Sequence, residues 1–238
     1  MTLPRAYREG TANFYGFDFK VDTSTLIPRP ETEQLVERTV ELAKSSLPNE
    51  LRILDVGTGS GVIAITLKKL LLEASIEATE ISAKALEVAS ANAKNNEVEV
   101  TFHVGNMFEP IKGKFDLIIA NLPYVPAARW RFLESPVRDF EPKDSIVAGR
   151  DGLKWIRQFC LKVGAYLNQA SIVALEIDDF RSERVLKMAQ KALPNHTCWI
   201  EKDLAGADRF CFALPRTEQP TALSGSFATS PNSTNSTE

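Results

Sequence analysis

Leu51-Arg52-Ile53-Leu54-Asp55-Val56-Gly57-Thr58-Gly59-Ser60-Gly61 decides the fold. The first six residues read as a buried strand, the next five as a glycine loop, and residues 62–72 as a helix. Strand, glycine loop and helix in that order form a nucleotide-type cradle, in which the backbone approaches a ligand and the helix N-terminus faces it. The spacing is G-x-G-x-G, which departs from the dinucleotide fingerprint G-x-G-x-x-G, and no Lys-Ser or Lys-Thr follows as a phosphate loop requires. Asp55, just ahead of the loop, suits a cationic amino or sulfonium ligand better than a pyrophosphate. Residues 75–79 make a second strand ending at Glu80, where an acid downstream of such a loop meets ribose hydroxyls.

Working downstream, Ser82 caps a helix through residue 91, and residues 98–104 make a third strand ending in Gly105-Asn106-Met107-Phe108. Asn106 and Met107 suit the edge and face of an adenine, and Phe108 packs the core. The run 115–120 is a fourth, central strand stopped at Asn121-Leu122-Pro123-Tyr124. The Asn121 side chain carries an acceptor and a donor pair, the Leu122 carbonyl has no ladder to join, and Tyr124 offers a flat face. Together they can grip a planar NH2 group, one hydrogen on Asn121 and one on the Leu122 carbonyl, leaving the nitrogen open to an electrophile. Residues 126–150 form a long irregular segment bearing Arg129, Trp130, Arg131, Arg138 and Lys143, read as a lid that meets a macromolecular partner. A helix from about residue 153 to 167, a strand over 171–177, a helix over 180–193 and an antiparallel pair over 197–202 and 209–214 complete the pattern. Alternating β and α units of this kind predict an α/β fold with a mostly parallel sheet covered on both faces.

Upstream, residues 14–21 alternate around a central glycine like a short hairpin or edge strand. Thr25-Leu26-Ile27-Pro28-Arg29-Pro30-Glu31-Thr32-Glu33 then holds the backbone extended before a helix opens at Pro30 or Glu31 and runs to about residue 44. Leu35, Val36, Val40 and Ala43 form its inner face, and Arg29 is presented from a stiff loop. Three parts are expected: an N-terminal segment with the hairpin over 1–27, the main domain over 28–214, and a disordered Ser/Thr/Pro/Asn-rich tail over 215–238.

Composition sets limits on function. A formal net charge of −3 gives no general electrostatic footprint for nucleic acid or an anionic membrane. No stretch approaches the roughly 20 apolar residues of a membrane span, and residues 1–10 lack a signal-peptide pattern, so a cytoplasmic monomer is expected. Cys160, Cys198 and Cys211 show no C-x-x-C spacing and His103 and His196 are the only histidines, so neither a metal site nor a disulfide framework is expected.

Four stretches, residues 25–33, 53–61, 121–124 and 141–153, give the chain a specific likeness. It resembles the protein-(glutamine-N5) methyltransferases that act on peptide chain release factors, the HemK/PrmC family, over about residues 10–214. The glycine loop is shared by many S-adenosylmethionine enzymes; residues 25–33 together with the 121–124 turn are specific. A sister family acting on a ribosomal-protein glutamine differs just after Ile-Pro-Arg, so Pro30-Glu31-Thr32-Glu33 favours release factors. The resemblance implies a class I S-adenosyl-L-methionine-dependent methyltransferase: Rossmann-like, seven-stranded and mostly parallel, with a C-terminal antiparallel pair and a short hairpin ahead of it. It implies that Gly57, Thr58, Gly59, Ser60 and Gly61 wrap the methionine part of the cofactor, Glu80 holds its ribose, and Asn106 and Met107 lie by the adenine. It places the glutamine of a Gly-Gly-Gln motif on Asn121, Leu122, Pro123 and Tyr124, with Arg29 nearby, and makes the release factor the protein partner. Leu122 stands where the family usually has Pro, Asn106 where Asp is common, and the family's helical N-terminal domain is not seen in this chain. Two rivals are an adenine N6-methyltransferase on nucleic acid, because the same turn fits an exocyclic amine, and a catalytically silent module that keeps the cofactor fold.

Overall fold

Residues 115–120 are apolar at every position but Asp116, and such a run is stable only as a strand covered on both faces. In the computed structural model, which describes residues 2–216, this run sits at the centre of a seven-stranded sheet. The elements in order are α1 (Arg5–Glu9), β1 (Thr11–Phe14), β2 (Phe17–Lys20), α2 (Pro30–Ser46), β3 (Arg52–Val56), α3 (Val62–Leu70), β4 (Ser75–Glu80), α4 (Ala83–Asn95) and β5 (Thr101–Val104). They continue with β6 (Phe115–Ala120), α5 (Ser135–Phe140), α6 (Lys154–Lys162), β7 (Leu167–Glu176), α7 (Ser182–Ala192), β8 (His196–Lys202) and β9 (Asp208–Pro215). The sheet runs β5-β4-β3-β6-β7-β9-β8, parallel as far as β7 and antiparallel through β9 and β8. The expected α/β sheet with its closing antiparallel pair is therefore present, and β1 and β2 form the hairpin ahead of it around Tyr15-Gly16.

Alternate residues of each central strand feed opposite cores. Ile53, Leu117, Ile119, Ile172 and Ala174 pack with α2, α3 and the hairpin residues Phe14 and Phe19. Leu54, Ile118, Val173 and Leu175 pack with α6, α7 and Phe108 on the other side. Leu35, Val36, Val40 and Ala43 are buried as the helical periodicity of α2 requires.

Several boundaries differ from the sequence reading. Residues 98–100 do not join the ladder, because the Val98 amide donates to Ala93 O and so closes the end of α4, which extends to Asn95. The segment 126–150 is not irregular: α5 and short helical turns at Ala127–Phe132 and Lys143–Ser145 occupy it. After α6 the chain tightens into a short turn, Val163–Tyr166, before β7. Helix α1 carries no apolar periodicity and only Tyr7 is buried, its hydroxyl donating to Thr25 O at 2.6 Å. The final strand reaches Pro215, and the tail expected beyond it lies, from residue 217, outside the described residues.

One side chain ties hairpin, α4 and glycine loop together. Asn92, fully buried, accepts from Lys20 N at 2.7 Å and donates to Lys20 O at 3.0 Å and Ser60 O at 2.8 Å. Asn92→Ala strands these backbone groups, at about 1–3 kcal/mol for each that stays buried. Chemical denaturation of the variant is expected to show a clearly lower midpoint, and an unchanged midpoint would show that the hairpin is not anchored here.

Candidate active site

The carboxyl ends of parallel strands are where open α/β sheets bind ligands, in the crevice at which strand order reverses. Here the reversal falls between β3 and β6, and a cleft of about 490 Å³ opens there. Its floor is the loop after β3, where Gly57, Thr58, Gly59 and Ser60 line the wall. Beneath the loop lies Asp55, fully buried, whose Oδ2 accepts from Thr58 Oγ1 at 2.6 Å and from Ala64 N at 3.2 Å. The Asp55 carboxylate thus holds the loop and the start of α3 from below and does not itself line the cleft. Gly61 is not on the wall either. Its φ of +85° starts α3, and a Cβ there would lie 3.0 Å from Ile65 Cδ1 and 3.1 Å from Ala89 Cβ, so helix packing, not ligand approach, requires glycine.

Glu80 at the end of β4 lines the cleft, with Oε2 accepting from Gly59 N at 3.0 Å and Oε1 from Ser82 N at 2.9 Å. Each carboxylate oxygen has a further lone pair for a ligand hydroxyl. Beyond β5, Asn106 donates its amide to Glu109 Oε1 at 3.2 Å, which leaves its carbonyl oxygen as an acceptor on the wall. Met107 beside it is nearly buried and holds φ of +54°, a strained value for a side chain of its size and of a kind that clusters at functional sites.

The turn after β6 supplies the far wall with Asn121, Leu122 and Pro123. Leu122 is buried against the glycine loop, and a Cβ on Gly57 would stand 3.0 Å from Leu122 Cδ2. The leucine thus fills space over Gly57, and Pro123 still biases the Leu122 backbone toward an extended form. Among the described residues, neither the Leu122 carbonyl nor the Asn121 Oδ1 has a hydrogen-bond partner, while Asn121 Nδ2 donates to Thr32 Oγ1 at 3.0 Å. Tyr124 does not line this cleft. It faces a side pocket of about 150 Å³ that shares Leu26, Arg29, Asn121, Leu122 and Pro123 with the cleft. The Tyr124 hydroxyl donates to Glu176 Oε1 at 3.1 Å, and its burial, reinforced by the Glu176 charge, pushes that hydroxyl well above the ordinary phenol range.

Arg29 reaches both cavities and is anchored from behind. Its Nη2 lies 2.5 Å from Glu141 Oε1, and Glu141 Oε2 also takes the Ile27 amide at 3.3 Å. The Glu141 side chain is 2% exposed, so this ion pair locks residues 25–33 to residues 141–153 across the mouth of the site.

The structure brings Gly57 to Ser60, Glu80, Asn106, Met107, Asn121 to Pro123 and Arg29 to one cleft and leaves Gly61 and Tyr124 off its wall, while Thr32, Glu141 and Glu176 have no site role in the sequence reading. Glu176 carries the one legible signal, an acid ending an apolar strand at the same sheet edge as Asn121. Thr32 and Glu141 fall within the stretches 25–33 and 141–153 that carry the family likeness, but the sequence reading assigns neither a role in the site.

Solved structures with the same architecture include a methyltransferase from Pyrococcus furiosus, with TM-score 0.61 at 18% identity over 84% of this chain and 89% of that one. A 16S rRNA N2 methyltransferase from Thermus thermophilus, solved with AdoMet and guanosine, gives TM-score 0.62 at 14% identity over 87% of this chain and 50% of that one. Strand order, glycine loop and cleft define the class I methyltransferase fold, and residues 33–136 match the methyltransferase small domain. The release factor glutamine methyltransferase of Bacillus cereus is 37% identical over 215 residues, covering 89% of this chain and 76% of that protein. Its counterpart from Nitratidesulfovibrio vulgaris is 38% identical over 91% of this chain and 74% of that protein. The chain belongs to the release factor glutamine methyltransferase family.

Burial without a partner for Oδ1 pushes the Asp55 carboxyl up to about 7 from an ordinary 3.8. The folded state therefore keeps a proton that the unfolded chain releases across this window, and Asp55 costs stability progressively as pH rises from about 4 to 7. Asp55→Asn is expected to flatten the fall in thermal midpoint between about pH 4 and pH 7; a slope identical to that of the parent would place the titration elsewhere.

Proposed function

We propose that this protein transfers a methyl group from S-adenosyl-L-methionine to the side-chain amide nitrogen of the glutamine in the Gly-Gly-Gln motif of peptide chain release factors. The observation that carries the reading is the pair of cavities meeting at one wall, Asn121 to Pro123, with two unpaired carbonyl acceptors at that wall. Family membership supplies the substrate class.

The residues of the larger cleft fit the cofactor. The backbone of Gly57 to Ser60 receives the methionine part, and Gly61 sets the geometry of that loop. Glu80 receives the ribose hydroxyls, and the Asn106 carbonyl and the Met107 side chain border the adenine. Glu80, the acid on the cleft wall, suits a cationic ligand better than a pyrophosphate. When bound, S-adenosyl-L-methionine supplies an electrophilic methyl on its sulfonium.

The side pocket takes the glutamine side chain. Its NH2 group gives one hydrogen to Asn121 Oδ1 and the other to the Leu122 carbonyl, and the amide plane lies on the Tyr124 ring. An amide nitrogen is a poor nucleophile because its lone pair is conjugated with the carbonyl. Two acceptors on its hydrogens raise the charge on nitrogen and hold its face toward the cleft, and good orientation alone can contribute up to ~7–11 kcal/mol. The methylated nitrogen then loses one proton to water. Arg29, held by Glu141, lines the entrance shared by both cavities.

Incubation of a release factor with the protein and S-adenosyl-L-methionine, followed by intact-mass and peptide mass spectrometry, is expected to show one methyl on the Gly-Gly-Gln glutamine. Asn121→Ala leaves one buried N–H unpaired and is expected to slow the reaction about 10- to 100-fold. Cofactor affinity, read by calorimetry, should be little changed in that variant. Cofactor binding by the parent without any methyl on that glutamine contradicts the proposal.

A further inference from the structure

Two side chains that the sequence reading did not assign to the site, Thr32 and Glu176, form a connected set with Tyr124 behind Asn121. Asn121 Nδ2 donates to Thr32 Oγ1 at 3.0 Å, Thr32 Oγ1 donates to Glu176 Oε2 at 2.7 Å, and Tyr124 OH donates to Glu176 Oε1 at 3.1 Å. The set spans three elements, the first turn of α2, the end of β7 and the turn after β6. Ala120 pairs with Leu175 in the sheet, which sets Asn121 beside Glu176 at the same edge. Thr32 is 3% and Glu176 2% exposed, so neither draws its partners from bulk water.

The direction of these bonds follows from counting hydrogens. With Glu176 ionised, its carboxylate only accepts and both hydroxyls donate to it. Thr32 then has no hydrogen left and can only accept from Asn121. The NH2 end of the Asn121 amide is therefore turned to Thr32, and its oxygen is turned to the wall between the two cavities. A side-chain amide that flips would present a donor there, and a donor repels a substrate NH2. Burial, with the Glu31 charge, pushes the Glu176 carboxyl up, and the Thr32 and Tyr124 hydroxyls and the charge of Arg209 work against that shift.

We infer that Thr32 and Glu176 are positioning residues: Glu176 fixes the polarity of a hydrogen-bond relay through Thr32 that locks the Asn121 carbonyl toward the acceptor nitrogen and holds Tyr124 in place on the other side. The inference rests on the proposed glutamine methylation for its consequence in turnover, but the lock itself is a property of the free protein. Glu176 also borders the side pocket, and its part in the relay is played through the Thr32 and Tyr124 hydroxyls.

The test pairs an isosteric and a conservative variant of Thr32. Thr32→Val keeps shape and removes the hydroxyl, and Thr32→Ser keeps the hydroxyl. In spectra of 15N-asparagine-labelled protein, the side-chain amide pair of Asn121, identified by its loss in Asn121→Ala, is expected to exchange slowly with water in the parent and in Thr32→Ser, and measurably faster in Thr32→Val. In turnover, Thr32→Val is expected to lose roughly tenfold or more in kcat with KM for the release factor and cofactor affinity little changed, and Thr32→Ser to recover most of the loss. Glu176→Gln, which can donate as well as accept, is expected to lose kcat in the same manner. Unchanged amide exchange in Thr32→Val, or a Thr32→Val enzyme with parental kcat, overturns the relay. Parent protein that shows the slow-exchanging Asn121 pair but methylates no glutamine leaves the relay standing and removes the proposed reaction instead.

Discussion

Parallel pairing of β3, β4 and β6 brings their carboxyl ends to one edge of the sheet, and the positions of the cleft residues follow from that constraint. Asp55 pairs with Ile119, so the glycine loop after β3 and the turn after β6 emerge side by side. Val56 pairs with Thr79, which delivers Glu80 under the same loop. Three segments far apart in sequence thereby meet within one cleft without long loops to carry them. The strand order reverses at this place, so no helix crosses over it and the crevice stays open.

Buried carboxylates then organise the space above the sheet. Asp55 holds the glycine loop from beneath, Glu141 holds Arg29 at the mouth, and Glu176 holds the back of the 121–124 turn. Each costs desolvation, and replacing such groups by apolar ones is often neutral or stabilising in other proteins. Their yield here is geometric. A carboxylate accepts along defined directions and from several donors at once, so it can set the orientation of an amide, a guanidinium and a backbone loop where an apolar contact fixes only distance. The division into a larger and a smaller cavity with a polar seam between them depends on those orientations.

The fold was legible because its signals are local. The runs 51–56 and 115–120, the glycine loop and the alternation of β and α units each follow from residue type and spacing, and the sheet formed as they required. Boundaries shifted where a backbone group was needed elsewhere, as with Val98, whose amide closes α4 instead of joining β5. The candidate residues at 57–60, 80, 106–107 and 121–123 could be singled out for the same reason, since each ends or follows a strand, whereas Arg29 sits in the loop ahead of α2. Gly61 has the spacing of its neighbours in the loop yet serves packing against Ile65 and Ala89, a distinction that only three-dimensional neighbours reveal. Thr32, Glu141 and Glu176 were not legible because their importance lies in pairings across 89, 112 and 144 positions of sequence. The helical turns within residues 126–150 were missed because they are too short to show periodicity.

In the proposed reaction the Asn121 to Tyr124 turn is the seam at which a cofactor in the larger cleft meets an amide nitrogen in the smaller one. The decisive measurement is a crystal structure of the protein with S-adenosylhomocysteine and the Gly-Gly-Gln domain of a release factor. The glutamine side chain is expected in the side pocket, its amide nitrogen within hydrogen-bond distance of both Asn121 Oδ1 and the Leu122 carbonyl, and Asn121 Nδ2 still on Thr32. A glutamine bound away from this turn, or an Asn121 amide turned with its nitrogen toward the substrate, would rule this arrangement out.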